Sequence, residues 1–103
     1  MAWIEVGPLN DLPDGCGAAF TLGGRRVAIF RAGDEVFAIG DRCPHRGFPL
    51  HDGSFDGSVV RCRTHGSTFD LRTGAVRRGP ASSGVAAFRV EVADGIVRVE
   101  VPD

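Results

Sequence analysis

Two stretches near the C-terminus, Phe88-Arg89-Val90-Glu91-Val92 and Val97-Arg98-Val99-Glu100-Val101, alternate apolar and charged residues on either side of Asp94-Gly95. Period-two alternation places successive side chains on opposite faces of a strand, and Asp-Gly is a favoured two-residue hairpin turn. The register that follows sets Val92 opposite Val97, Val90 opposite Val99 and Phe88 opposite Val101 on one face. On the other face Glu91 meets Arg98 and Arg89 meets Glu100, so charge and hydrophobicity agree on one pairing. A second hairpin is expected around Gly23-Gly24, with Phe20 and Val27 on its inner face. The turn Ala32-Gly33-Asp34-Glu35 then leads into Val36-Phe37-Ala38-Ile39, and with a first strand near Trp3 to Val6 these segments are expected to form the main sheet.

The stretch from about 40 to 79 has a different texture, rich in Gly, Pro and Asp, with short strands expected at about 59 to 62 and 67 to 71. Across the chain, 15 Gly and 6 Pro leave segments too short for most helices, which predicts an all-β fold. With 103 residues the chain is expected to be one domain, 1–103, large enough for an apolar core and too small for a second catalytic domain. Hydrophobic residues are 43% and charged residues 24%, ordinary values for a soluble globular protein. The formal charge of -1, with no polybasic run, argues against nucleic acid or an anionic membrane as a partner. No apolar window approaches the roughly 20 residues that span a bilayer. The opening Met1-Ala2-Trp3-Ile4-Glu5-Val6 has no cationic start and apolar run, which predicts a cytoplasmic protein.

The chemistry concentrates in two short runs. Cys43 and His45 form C-x-H, Cys62 and His65 form C-x-x-H, and sixteen residues separate the pairs. Thiolates suit soft metals and imidazoles suit iron and zinc, so two of each define a metal site before any fold is assumed. The composition of the pairs points to an iron-sulfur site, because each loop offers one sulfur and one nitrogen and a two-iron cluster can take both thiolates on one iron and both imidazoles on the other. Cys2His2 is also a structural zinc set, so a zinc-bearing interaction module stands as the reading of another class. Cys16, after Pro13-Asp14-Gly15, has no spare partner for a disulfide and is expected to be a structural or incidental thiol. His51, in Leu50-His51-Asp52-Gly53, is expected to be a surface turn residue.

Cys43-Pro44-His45-Arg46-Gly47, Cys62-Arg63-Thr64-His65-Gly66, Phe69-Asp70-Leu71-Arg72-Thr73-Gly74 and Gly79-Pro80-Ala81 together resemble the Rieske 2Fe-2S family over most of the chain. The resemblance implies an antiparallel β-sandwich with an inserted small cluster-binding subdomain of short hairpins, here about 40–79, and one 2Fe-2S cluster per chain. It implies that Cys43 and Cys62 hold one iron and His45 and His65 the other, with a third loop carrying Pro80 over the cluster. Gly47 and Gly66 would let the ligand loops turn tightly and bring backbone N–H groups near sulfur. The respiratory branch of the family has a further cysteine in each ligand loop, and here those positions are Phe48 and Thr64, so its disulfide is impossible. Ser67 matches the serine that donates to the cluster in that branch, whereas Phe69 replaces its tyrosine. Fewer donors predict a potential near the low end of the Rieske range, which runs from roughly −150 to +300 mV.

The chain holds no Ser/His/Asp set and no phosphate loop. With His45 and His65 committed, His51 alone cannot build a two-histidine catalytic iron. The expectation is therefore an electron carrier and no enzyme, similar to the stand-alone Rieske ferredoxins that pass electrons from an NAD(P)H-dependent flavoprotein reductase to a terminal ring-hydroxylating oxygenase. Such a protein would be a monomer that docks transiently at its His45/His65 edge. Arg42, Arg46, Arg61 and Arg63 flank that edge and would favour an acidic partner surface. The alternative within the resemblance is the small subunit of assimilatory NADH-dependent nitrite reductase, held permanently by the large subunit.

Overall fold

The computed structural model describes residues 2–44, 47–64 and 66–102. Its strands are β1 (Ala2–Pro8), β2 (Gly17–Leu22), β3 (Arg25–Ala32), β4 (Glu35–Gly40), β5 (Ser54–Phe55), β6 (Val59–Arg61), β7 (Thr68–Asp70), β8 (Val76–Arg78), β9 (Ala87–Phe88), β10 (Val90–Ala93) and β11 (Ile96–Val101), with one 3-10 turn at Leu9–Asp11. They form three antiparallel sheets in the orders β1-β11-β10, β2-β3-β4-β9 and β5-β6-β7-β8. Among the described residues no helix is long and apolar enough to cross a membrane.

The middle sheet is covered on both faces, and β3 shows why. Its run Val27-Ala28-Ile29-Phe30 is apolar without alternation, the pattern of a strand buried on both sides, and all four residues are at most 1% exposed. Val27 and Ile29 face Val97, Val99 and Val101 of β11, with Leu12, Leu22 and Ala38 completing that core. Ala28 and Phe30 face the opposite way, with Phe37 and Ile39, toward Leu50, Val60, Phe69, Leu71 and the two cysteines Cys43 and Cys62. Each large side chain so enclosed stabilises the fold by about 1.5–3 kcal/mol. The edge contact of Phe30 with Phe55, centroids 5.1 Å apart, joins β3 to the third sheet.

The C-terminal hairpin has the expected register from Val90↔Val99 through Glu91↔Arg98 to Val92↔Val97, around a turn with positive φ at both Asp94 and Gly95. Phe88 departs from it. Its partner is Ala38 of β4, and Val101 pairs instead with Ala2. The chain changes sheets at Arg89, which still accepts a hydrogen bond from Glu100 N–H at 2.9 Å. The expected single main sheet is thus two. The first strand joins β11 and not the Phe20–Val27 hairpin, although that hairpin itself forms with Phe20 opposite Val27. Strands at Val59–Arg61 and Thr68–Asp70 lie where they were expected, while β5 and β8, two and three residues long, extend their sheet beyond the expectation.

Candidate metal centre

Arg42-Cys43 follows the end of β4, and Arg61-Cys62 runs out of β6. Cys43 N–H donates to the Phe48 carbonyl at 2.7 Å, and Gly47 N–H donates back to the Cys43 carbonyl at 2.6 Å. The second loop repeats this, with Cys62 N–H on the Ser67 carbonyl at 2.8 Å and Gly66 N–H on the Cys62 carbonyl at 3.0 Å. The histidine comes two residues after one cysteine and three after the other, yet both loops close at the same offsets from their cysteine. Gly47 and Gly66 make this closure with φ of +77° and +81°, a region open to glycine and strained for other residues. Over each glycine lies the guanidinium of the arginine that precedes the cysteine. A Cβ on Gly47 would stand 3.0 Å from Arg42 Nε, and one on Gly66 3.2 Å from Arg61 Nη2.

Cys43 and Cys62 are each 1% exposed and belong to one buried apolar cluster. None of the three cysteines is in a disulfide. The loops are neighbours, because Phe48 and Pro49 of the first line a single cleft with Arg63 and Thr64 of the second. Two thiol donors delivered by equivalent loops into one water-excluded cluster fit a group that takes both sulfurs at one end. His45, Arg46 and His65 lie outside the described residues.

The third loop meets the second through Ser67. This side chain is fully buried, and its Oγ accepts the Ala81 N–H at 3.0 Å, one residue after Pro80 and its cis peptide bond to Gly79. A hydroxyl that accepts keeps its own proton to donate. Phe69 is fully buried in the core beside the cysteines, so it contributes packing and no polar contact at that position.

Sequence reasoning missed Asp41. Its carboxylate is fully buried and accepts four hydrogen bonds: from Leu50 N–H and His51 N–H at 2.8 Å each, from His51 Nδ1 at 2.8 Å and from Arg26 Nη2 at 3.1 Å. His51 lies in a turn, as expected, but is not a plain surface residue: its ring is 28% exposed and bonded to Asp41, whose position in the chain is two before Cys43. A lone Asp between Gly40 and Arg42 carries no local sign that residues 50 and 51 return to it. Cys16, by contrast, is exposed and far along the chain from both loops.

Charges around the site are unevenly matched. Arg63 pairs with Asp52 at 3.1 Å. At the far end of the third sheet, Asp70 accepts from Arg72 N–H at 2.8 Å, Thr73 N–H at 3.3 Å and Arg77 Nη1 at 3.2 Å. The Arg72 backbone N–H leads the causes that hold the Asp70 carboxyl below its ordinary value of 3.8.

A small β protein with a buried cysteine pair on twin loops is the class that fold and site define. Residues 2–89 match the Rieske 2Fe-2S domain, and the chain belongs to that family. The ferredoxin of carbazole 1,9a-dioxygenase from Nocardioides aromaticivorans IC177 superposes with a TM-score of 0.91 at 34% identity, covering 96% of this chain and 97% of that one. The anthranilate 1,2-dioxygenase ferredoxin subunit of Burkholderia cepacia is 33% identical over 99 residues, 96% of this chain and 92% of its own. The ferredoxin fold also matches in a complex of reduced oxygenase and oxidised ferredoxin of carbazole 1,9a-dioxygenase, with a TM-score of 0.85, 33% identity and coverage of 94% and 91%. A proposed NADH-dependent nitrite reductase small subunit from Mycobacterium tuberculosis superposes at 0.87 with 27% identity, covering 99% and 97%.

Proposed function

We propose that the chain is a one-electron carrier of an oxygenase system, taking electrons from an NAD(P)H-dependent flavoprotein reductase and delivering them to a terminal oxygenase of the ring-hydroxylating type. The observation that carries this is the cysteine pair, brought by two equivalently closed loops into one buried cluster. Cys43 and Cys62 are the ligands of one iron, His45 and His65 those of the other. A bound Rieske cluster supplies reversible one-electron chemistry at a centre with no net charge when oxidised, since two neutral imidazoles replace two thiolates. The chain itself does the rest. Asp41 fixes the root of the first loop, Gly47 and Gly66 close both loops, and Ser67 ties the second loop to Ala81. We read residues 1–103 as one domain, with 40–79 as its cluster-binding part, acting as a cytoplasmic monomer that meets its partners transiently at the histidine edge.

Likeness to the nitrite reductase small subunit supports a second reading, a fixed subunit of a large enzyme. Anaerobic purification with iron, sulfide and zinc analysis, followed by electron paramagnetic resonance after dithionite reduction, tests the metal. Two irons per chain and a Rieske signal are expected; stoichiometric zinc in a colourless protein sinks the proposal. Native gel filtration separates carrier from subunit, because co-elution with a large sirohaem-containing chain would replace the first reading by the second.

A further inference from the structure

The third sheet carries on its outer face a stripe that the cluster chemistry does not use. Ser54 pairs with Arg61, Arg61 with Thr68 and Thr68 with Arg78, so one residue from each of the four strands β5 to β8 stands in a single row. The neighbouring row, Phe55, Val60, Phe69 and Val76, packs on the core that holds Cys62; in β8 a register shift leaves Arg77 as an extra residue between Val76 and Arg78. The outer row is all hydrogen-bond donors: two guanidinia alternating with two hydroxyls. It lines two adjoining surface clefts of about 300 Å³ each, one formed by Ser54, Arg61 and Thr68 with Phe55, Asp56 and Val59, the other by Arg61, Thr68, Arg78 and the loop glycines Gly66 and Gly79.

Among the described residues no carboxylate pairs with Arg61 or Arg78. The two acids on the same face, Asp56 and Asp70, are taken by their own turns. Asp56 accepts from Val59 N–H at 3.2 Å, and Asp70 from Arg72, Thr73 and Arg77. Two like charges two strands apart, about 10 Å, gain from a carboxylate placed between or across them. The wider field points the same way. Residues 41–80 hold seven arginines against four aspartates, a surplus of three positive charges, whereas the rest of the chain holds five arginines against nine acids.

We propose that the Ser54–Arg61–Thr68–Arg78 stripe is a docking surface for the acidic face of a protein partner, seating two or more partner carboxylates beside the second ligand loop. A stripe of four strands spans about 14 Å, too long for one phosphate, and its arginines are exposed, which suits reversible contact with a surface more than enclosure of a small anion. Arg61 directly precedes Cys62 and Gly66 walls the cleft, so the docked carboxylates would stand next to the second ligand loop. The proposal rests on the carrier reading for the identity of the partner as a redox protein. The docking face itself is tested separately.

The test is binding of fluorescein-labelled hexaglutamate to the oxidised holoprotein at low ionic strength, read by anisotropy. Arg61→Gln and Arg78→Gln are each expected to weaken binding about two- to fivefold, the range of an exposed ion pair, and added salt to abolish it. Thr68→Glu, which sets the protein's own carboxylate between the two guanidinia, should remove binding with both arginines kept, guarding against an Arg61 variant that fails to fold. Arg25→Gln, another arginine without a carboxylate among the described residues, should change nothing. Equal weakening by Arg25→Gln, or unchanged binding in the Arg61→Gln/Arg78→Gln double variant, would overturn the proposal. Iron content of the same preparations reports on the carrier reading. A zinc protein that binds the peptide through Arg61 and Arg78 would sink that reading and support the docking surface.

Discussion

Asp41 and His51 lie 2.8 Å apart through Oδ2 and Nδ1, and the same carboxylate binds the backbone N–H groups of Leu50 and His51 through Oδ1. One buried side chain thus closes the segment that carries Cys43, from its start at residue 41 to its return at residue 51. Asp41→Ala leaves the buried Leu50 N–H and the half-buried His51 N–H without an acceptor. A loss of about 3 kcal/mol is expected in urea unfolding of the holoprotein, together with faster release of iron. His51→Ala, which removes one of the four contacts and a half-buried ring, should cost clearly less. Equal losses in the two variants would show that the carboxylate is not the organiser of the loop.

Gly66→Ala tests the twin closure. The backbone at φ +81° charges an alanine about 1–2 kcal/mol, while the Arg61 guanidinium in the way of its Cβ can swing aside. A lower urea midpoint with an unchanged slope is the expected result, and Gly47→Ala should match it because its φ and its arginine neighbour are equivalent. A neutral outcome at either glycine would mean that the two loops are not held alike.

Ser67→Ala removes the acceptor of the Ala81 N–H at a buried position. The cost is expected to be about 1–3 kcal/mol of stability, and on the proposal that the Ser67 hydroxyl donates toward the cluster the midpoint potential should fall. The parent midpoint should itself lie toward the lower part of roughly −150 to +300 mV, because Phe69 offers no hydroxyl. A redox titration of the two proteins checks both statements; an unchanged potential in Ser67→Ala would confine the serine to holding the third loop.

Asp70 gives a pH prediction. Its carboxyl titrates below 3.8 in the folded protein, held there first by the Arg72 N–H. A depressed acid contributes stability that is complete above its unfolded pKa and is lost as pH falls through the folded one. Asp70→Asn should therefore be less stable than the parent at neutral pH, with the gap narrowing below about pH 4 as the parent carboxyl protonates. Urea midpoints across that range decide it, and a gap that stays constant would remove the charge from the explanation.

What could be read from residues alone was local or chemical. Alternation around Asp94-Gly95 specified the β10–β11 register because a one-residue slip would turn Val97 and Val99 outward, and the cross-strand charges forbid it as well. The two Cys/His pairs named a metal chemistry, since ligand type is a property of the side chain and needs no fold. Period two says which way a side chain points and nothing about which sheet it joins, so Phe88 could leave Val101 for Ala38 and β1 could pair with β11 without any change in the pattern. Asp41 with His51, and Asp41 with Arg26, are meetings of residues 10 and 15 positions apart. Only the packed sheets decided them, because a contact between polar side chains is worth something when the backbone has already brought them together and buried what lies between.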